Sequence, residues 1–248
     1  MIEEVNKLLE EKEINHSLVK STIISYVIKH TELFGDVISF ESVMDRLRSN
    51  LDSVQLIYPN PDQRYGSAVG EYIGFNDNKI IMYFSEEHLK NETLRNDFID
   101  ILTHELTHCI YRIKLNDLFE QEKHVFATYQ KLIDGTSVKS DGTEKFIEPI
   151  INFISTTING KKNSCYIQGT NAIGKISNII GVENIVLSAF NSDYEMFKSL
   201  FNNISNDAYD NFERGLSFVT WNDDLWTKRG NEIIDNVING SDNDQKIV

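Results

Sequence analysis

Residues 91–114, NETLRNDFIDILTHELTHCIYRIK, run for 24 positions without a glycine or a proline. Nothing else in the chain restricts the fold as tightly, because the run also carries a full apolar stripe. Phe98, Leu102, Leu106, Cys109, Ile110 and Ile113 recur every three or four positions, which puts them on one face of an α-helix. The pattern predicts one long helix buried along that face. On the flank of the stripe stand His104, Glu105 and His108, in the order His-Glu-x-x-His. A helix turns by about 100° per residue, so residues four apart lie about 40° from each other on successive turns. Both imidazoles can then reach one zinc ion at about 2 Å, with Glu105 beside them as a general base. Cys109 points about 100° away from His108 and is not expected to join that ion.

Catalytic zinc usually takes three protein ligands. A third histidine close by would need Gly at 111 and His at 114, where this chain has Tyr111 and Lys114. The third ligand must therefore come from farther on. Asp117, Glu120, Glu122, Asp134, Glu144 and Glu148 are acidic candidates, and His124 is a nitrogen alternative. Glu148 is preferred. It lies 40 residues after His108 and begins a helical run, and a ligand on a packed helix is held more rigidly than one in a loop. Pro149 fits this helix if Glu148 stands near its start.

THELTHCIYR followed by FIEPIINFIS resembles the gluzincin type of zinc metallopeptidase, in which a glutamate from a following helix completes the site. The stretch SCYIQGTNAIGKISNIIGVENIVLSAF is similar to the helical tail of bacterial HExxH proteins in this group. The resemblance covers roughly residues 70–200 and is concentrated in the two short motifs. It implies an α+β, zincin-like fold, a Zn2+ cofactor held by His104, His108 and Glu148, and hydrolysis of peptide bonds with Glu105 as base. Pro149 replaces the glycine that commonly follows the glutamate. Asn152 stands where gluzincins often carry an aspartate, and is a candidate to accept a hydrogen bond from a ligand histidine. Tyr166 is the candidate for stabilising the tetrahedral oxyanion. In such peptidases an edge strand before the motif helix pairs with extended substrate, and Lys79–Phe84 is the natural choice.

Around these motifs the periodicity predicts helices in the first fifty residues with a break near Asn15-His16, and a short helix from Phe40 to about Leu51. A strand over Val54–Tyr58 ends at Pro59-Asn60-Pro61. Glu71–Phe75 and Lys79–Phe84 form a hairpin about Asn76-Asp77-Asn78. Helices are expected over Asn116–Asp134, Lys145–Ile158, Tyr166–Ile180 and Val182–Phe190, with Gly181 as a C-cap. The organisation is an N-terminal α/β lobe (1–115) that includes the motif helix, a helical C-terminal lobe (116–240) and a frayed tail (241–248).

With 38 acidic against 24 basic residues the net charge is -14, which repels phosphate backbones and anionic lipid. Nucleic acid and membrane are therefore not expected as partners; a peptide or protein substrate is what the resemblance implies. No apolar run approaches a bilayer span of roughly 18 residues. MIEEVNKLLEEKEINH has acidic residues where a secretory signal has lysines, so a cytoplasmic location is expected; export by another route or a trimmed signal stays open. Two cysteines, Cys109 and Cys165, are too few for a disulfide scaffold and are expected to be buried thiols. Gly169–Ile176, GTNAIGKI, imitates a phosphate loop but has Ile176 where a hydroxyl must hold magnesium. Two rivals remain: a catalytically silent zinc-binding or partner-binding protein, and a metal-free helical module.

Overall fold

The computed structural model describes residues 1–57, 70–73, 77–111, 144–160, 167–191, 193–219 and 224–243. The apolar spacing of the first fifty residues becomes α1 (Ile2–Glu11), α2 (Ser17–Phe34) and α3 (Phe40–Asn50). Val5, Leu8 and Leu9 of α1, Val19, Ile23 and Val27 of α2, and Val43, Met44 and Leu47 of α3 are buried. The break at Asn15-His16 is a helix start. His16 Nδ1 accepts from Val19 N at 3.4 Å, satisfying an amide that the first turn cannot. Ser39 Oγ caps α3 through Ser42 N at 3.2 Å.

Among the described residues the sheet has three short strands, β1 (Ser53–Leu56), β2 (Gly70–Ile73) and β3 (Lys79–Met82). As expected, β2 and β3 pair antiparallel, from Gly70↔Met82 to Ile73↔Lys79. β1 pairs with β3 in parallel, Ser53↔Lys79 through Leu56↔Met82, so the order is β1-β3-β2. This overturns one expectation: β3 is the central strand, with neighbours on both sides, and Lys79–Phe84 cannot offer a strand edge to a substrate. Among the described residues the edges are β1 and β2. Ile80 and Met82 show the physical reason, since both are fully buried, and a strand with that apolar content belongs in the middle.

The long helix forms as expected, capped by Asn91 and preceded by a short one. A short α4 (Glu86–Lys90) carries a capping box in which Ser85 and His88 satisfy each other's amides. Asn91 then caps α5 (Glu92–Ile110), its Oδ1 accepting from Thr93 N at 2.9 Å and Leu94 N at 3.2 Å. α5 closes at Tyr111, whose N–H reaches Thr107 O at 2.9 Å; residues 112–114 lie outside the described residues.

Among the described residues six further helices follow: α6 (Glu144–Asn159), α7 (Ile167–Ile180), α8 (Val182–Asn191), α9 (Tyr194–Ser199), α10 (Ala208–Phe218) and α11 (Asp224–Asn243). Gly181, at φ +88, ends α7 in the left-handed conformation that glycine adopts without cost, and its N–H bonds Ser177 O at 2.9 Å. α11 runs to Asn243, and the rest of the tail expected to fray lies outside the described residues. The helix expected over 116–134 lies outside the described residues. Two compact units emerge, Met1–Tyr111 with Ser155–Lys162, and Arg112–Ile154 with Asn163–Val248. Among the described residues no single helix is long and apolar enough to cross a membrane.

Candidate metal centre

α5 packs against α2, α3, α4, β2 and β3. The apolar stripe behaves as expected, with Phe98, Leu102, Leu106, Cys109 and Ile110 all at 0% exposure. The flank does not stay exposed: every residue from Leu102 to Tyr111 is buried. His104 is 7% exposed, Glu105 8% and His108 7%, so three polar side chains are held nearly dry. Such burial is costly unless each group finds a partner.

His104 and His108 find each other. Their Nε2 atoms are 3.1 Å apart, with ring centroids 4.8 Å apart and planes at 74°. Two imidazoles bound to one tetrahedral zinc at 2.0–2.1 Å would place these nitrogens about 3.3 Å apart, close to what is seen. α6 supplies the third member. Ligand atoms of His104, His108 and Glu148 all lie within 4.8 Å of one another. Among the described residues this is the one cluster of three or more histidine, cysteine or acidic side chains able to hold a metal ion. Two imidazoles and one carboxylate suit a divalent transition metal better than magnesium or calcium, which prefer oxygen alone. The donors present therefore fit a metal of the zinc class.

Behind the histidines, α5 is fixed by buried polar bonds. Thr107 Oγ1 donates its only proton to Thr103 O at 2.9 Å, so the 3.1 Å bond to Tyr26 must run from the Tyr26 hydroxyl to Thr107. Burial pushes the Tyr26 phenol well above its ordinary pKa, so that proton stays in place. His30 Nε2 lies 2.8 Å from Tyr111 Oη, and burial lowers His30 to about 4. Burial likewise pushes Tyr111 upward. Asn50 Nδ2 donates to Cys109 O at 2.9 Å, one of the carbonyls that a helix end leaves unused. Tyr72 Oη donates to Asn50 O at 2.9 Å and extends the chain to β2.

β2 lies directly on α5, which explains Gly70. A Cβ there would stand 2.6 Å from Ile101 Cγ2, 3.2 Å from Met82 Sδ and 3.5 Å from Glu105 Cγ. Any side chain would lift the strand off the helix beside Glu105.

α6 starts at Glu144, so Glu148 is in its second turn and Pro149 is inside the helix, not at its start as expected. The cost is one backbone hydrogen bond near the helix N-terminus, which α6 absorbs without breaking. Asn152 is fully buried and its Nδ2 donates to Thr170 Oγ1 at 2.7 Å, which leaves Oδ1 as its acceptor. Tyr166, Asp117, Glu120, Glu122, His124, Asp134 and Cys165 lie outside the described residues, and Glu144 is the first residue of α6. Cys109 is buried. GTNAIGKI is helical within α7, which a phosphate loop is not.

No protein-family model, curated protein or solved structure matches the chain. What identifies the centre is its own geometry: a possible metal-binding triad on two helices of a mainly helical α+β chain.

Proposed function

We propose that the protein is a zinc-dependent metallohydrolase of the gluzincin type, an endopeptidase acting on peptide or protein substrates. The observation that carries this reading is the meeting of His104, His108 and Glu148 while Glu105 occupies the intervening turn of α5. Zinc in such a donor set acidifies a water molecule and polarises a substrate carbonyl. His104, His108 and Glu148 hold the ion. Glu105 takes the proton of the attacking water and delivers it to the departing amine nitrogen.

A peptide substrate is supported by β2. Among the described residues it is an edge strand, it rests on α5, and its first residue lies against Glu105. An extended chain added to that edge would be held by main-chain hydrogen bonds close to the base. Tyr166 is proposed as the oxyanion donor.

Glu105→Gln tests the reading. Cleavage of quenched fluorescent peptides should fall by on the order of 10²–10⁴ while zinc content is unchanged. Retained cleavage would remove Glu105 from its role. If the wild type holds zinc yet cleaves nothing across the panel, with or without chelator, the silent zinc-binding alternative replaces the enzyme.

A further inference from the structure

We infer that Gly169 and Thr170 of α7 are positioning residues that seat α6 so that Glu148 reaches the two histidines. The inference rests on the metal reading above. The residue following Glu148 is Pro149, and Gly169 lies against its ring. A Cβ on Gly169 would stand 2.5 Å from Pro149 Cγ and 2.9 Å from its Cβ. Carbon atoms in ordinary contact are about 3.5–4.0 Å apart, so a methyl group here drives the two helices apart by about 1 Å. The proline ring cannot turn aside, because it is bonded to its own backbone.

The next residue of α7 grips the next turn of α6. Thr170 Oγ1 accepts from Asn152 Nδ2 at 2.7 Å, and Asn152 is fully buried. Asn152 and Glu148 are four apart and share a face of α6. Gly169 and Thr170 thus fix α6 at the positions one and four residues after the ligand, one contact by shape and the other by a hydrogen bond. Glycine inside a helix is disfavoured relative to alanine, and close approach to Pro149 is a physical reason to keep it. Gly174, on the same helix, has no such reason: a Cβ there meets Phe153 Cε2 at an ordinary 3.7 Å. The residues that imitate a phosphate loop in the sequence are, on this account, half of a seat for a metal ligand.

The experiment is zinc affinity of the full chain by competition with a chromogenic chelator, alongside the thermal midpoint of each metal-free protein. Gly169→Ala should weaken zinc binding by on the order of tenfold or more, as changes to groups that orient ligands do. Thr170→Val should weaken it less, and Gly174→Ala should leave it unchanged. The double variant Pro149→Ala/Gly169→Ala removes the closest contact, at 2.5 Å with Cγ, while that with Cβ at 2.9 Å remains, and should recover part of the affinity. The inference is overturned if Gly169→Ala binds zinc like the wild type. It is also overturned if the loss merely follows a lower midpoint and the double variant recovers none of it. A wild type that binds no zinc overturns the metal reading itself, and this inference with it.

Discussion

The surroundings of α5 and the pairing of α10 with α11 show two ways of holding a helix. Around α5 the contacts are directional. Tyr26, Thr107, His30, Tyr111 and Asn50 are all buried and each is engaged in a hydrogen bond. At α10 and α11 the contact is one of shape. Gly215 and Gly230 face each other so closely that a Cβ on Gly230 would stand 2.6 Å from Gly215 O, and Ile234 and Val219 close in beside them. Phe197, Phe201, Tyr209 and Phe212 pack nearby with ring centroids 5.2–6.3 Å apart. Apolar packing is the cheaper solution, because each buried hydroxyl or imidazole loses water and needs a partner. A helix serving only as scaffold would resemble α10. The polar load on α5 marks the helix whose rotation matters, and it is the helix that carries His104, Glu105 and His108.

That contrast predicts different responses to change. The largest belongs to His30. It is neutral in both folded and unfolded chains above pH 6.5, where it contributes nothing. Between pH 6.5 and about 4 the unfolded chain takes up a proton that the folded chain refuses, so stability falls as pH falls, by about 3 kcal/mol in full, and levels off below. Denaturant unfolding of wild type and His30→Leu at pH 7 and pH 5 checks this: the variant should lose less stability on acidification. Equal losses would show that His30 is protonated in the folded chain. Next comes Gly230→Ala. Replacing glycine in a helix ordinarily gains about 0.5–1 kcal/mol, but here the methyl meets a carbonyl and Val219, and a net loss of about 1–3 kcal/mol is expected. Gly240→Ala, with nothing within 4 Å, should show the gain. The smallest effect separates the partners of one bond. Thr107→Val leaves the Tyr26 hydroxyl without its acceptor and should cost about 1–3 kcal/mol. Tyr26→Phe removes that hydroxyl while Thr107 keeps Thr103 O, and should cost about 1 kcal/mol or less. The reverse order would mean that the bond runs the other way.

Much of this was legible in the sequence, for reasons that also mark the limit. His104, Glu105 and His108 follow from helical spacing, which is local. The helices α1–α3 and α6–α8 follow from apolar period and from caps such as Gly181. Glu148 is 40 residues from His108, and only its helical context and the gluzincin resemblance singled it out. Periodicity says which face of α5 is buried but not what lies opposite, so Tyr26 and His30 gave no signal of their roles. The parallel pairing of β1 with β3, which makes β3 central, depends on a crossover that no local pattern encodes. Gly70, Gly169 and Gly230 have meaning only through partners far along the chain.

The central claim is that His104, His108 and Glu148 bind one metal ion. Zinc content and affinity of the full chain, measured for the wild type and for His108→Ala and Glu148→Ala, test it most directly. One zinc per chain is predicted for the wild type, with a loss of on the order of a hundredfold or more in affinity for either variant. A wild type that takes up no zinc, or a Glu148→Ala variant that binds as tightly as the wild type, would contradict it.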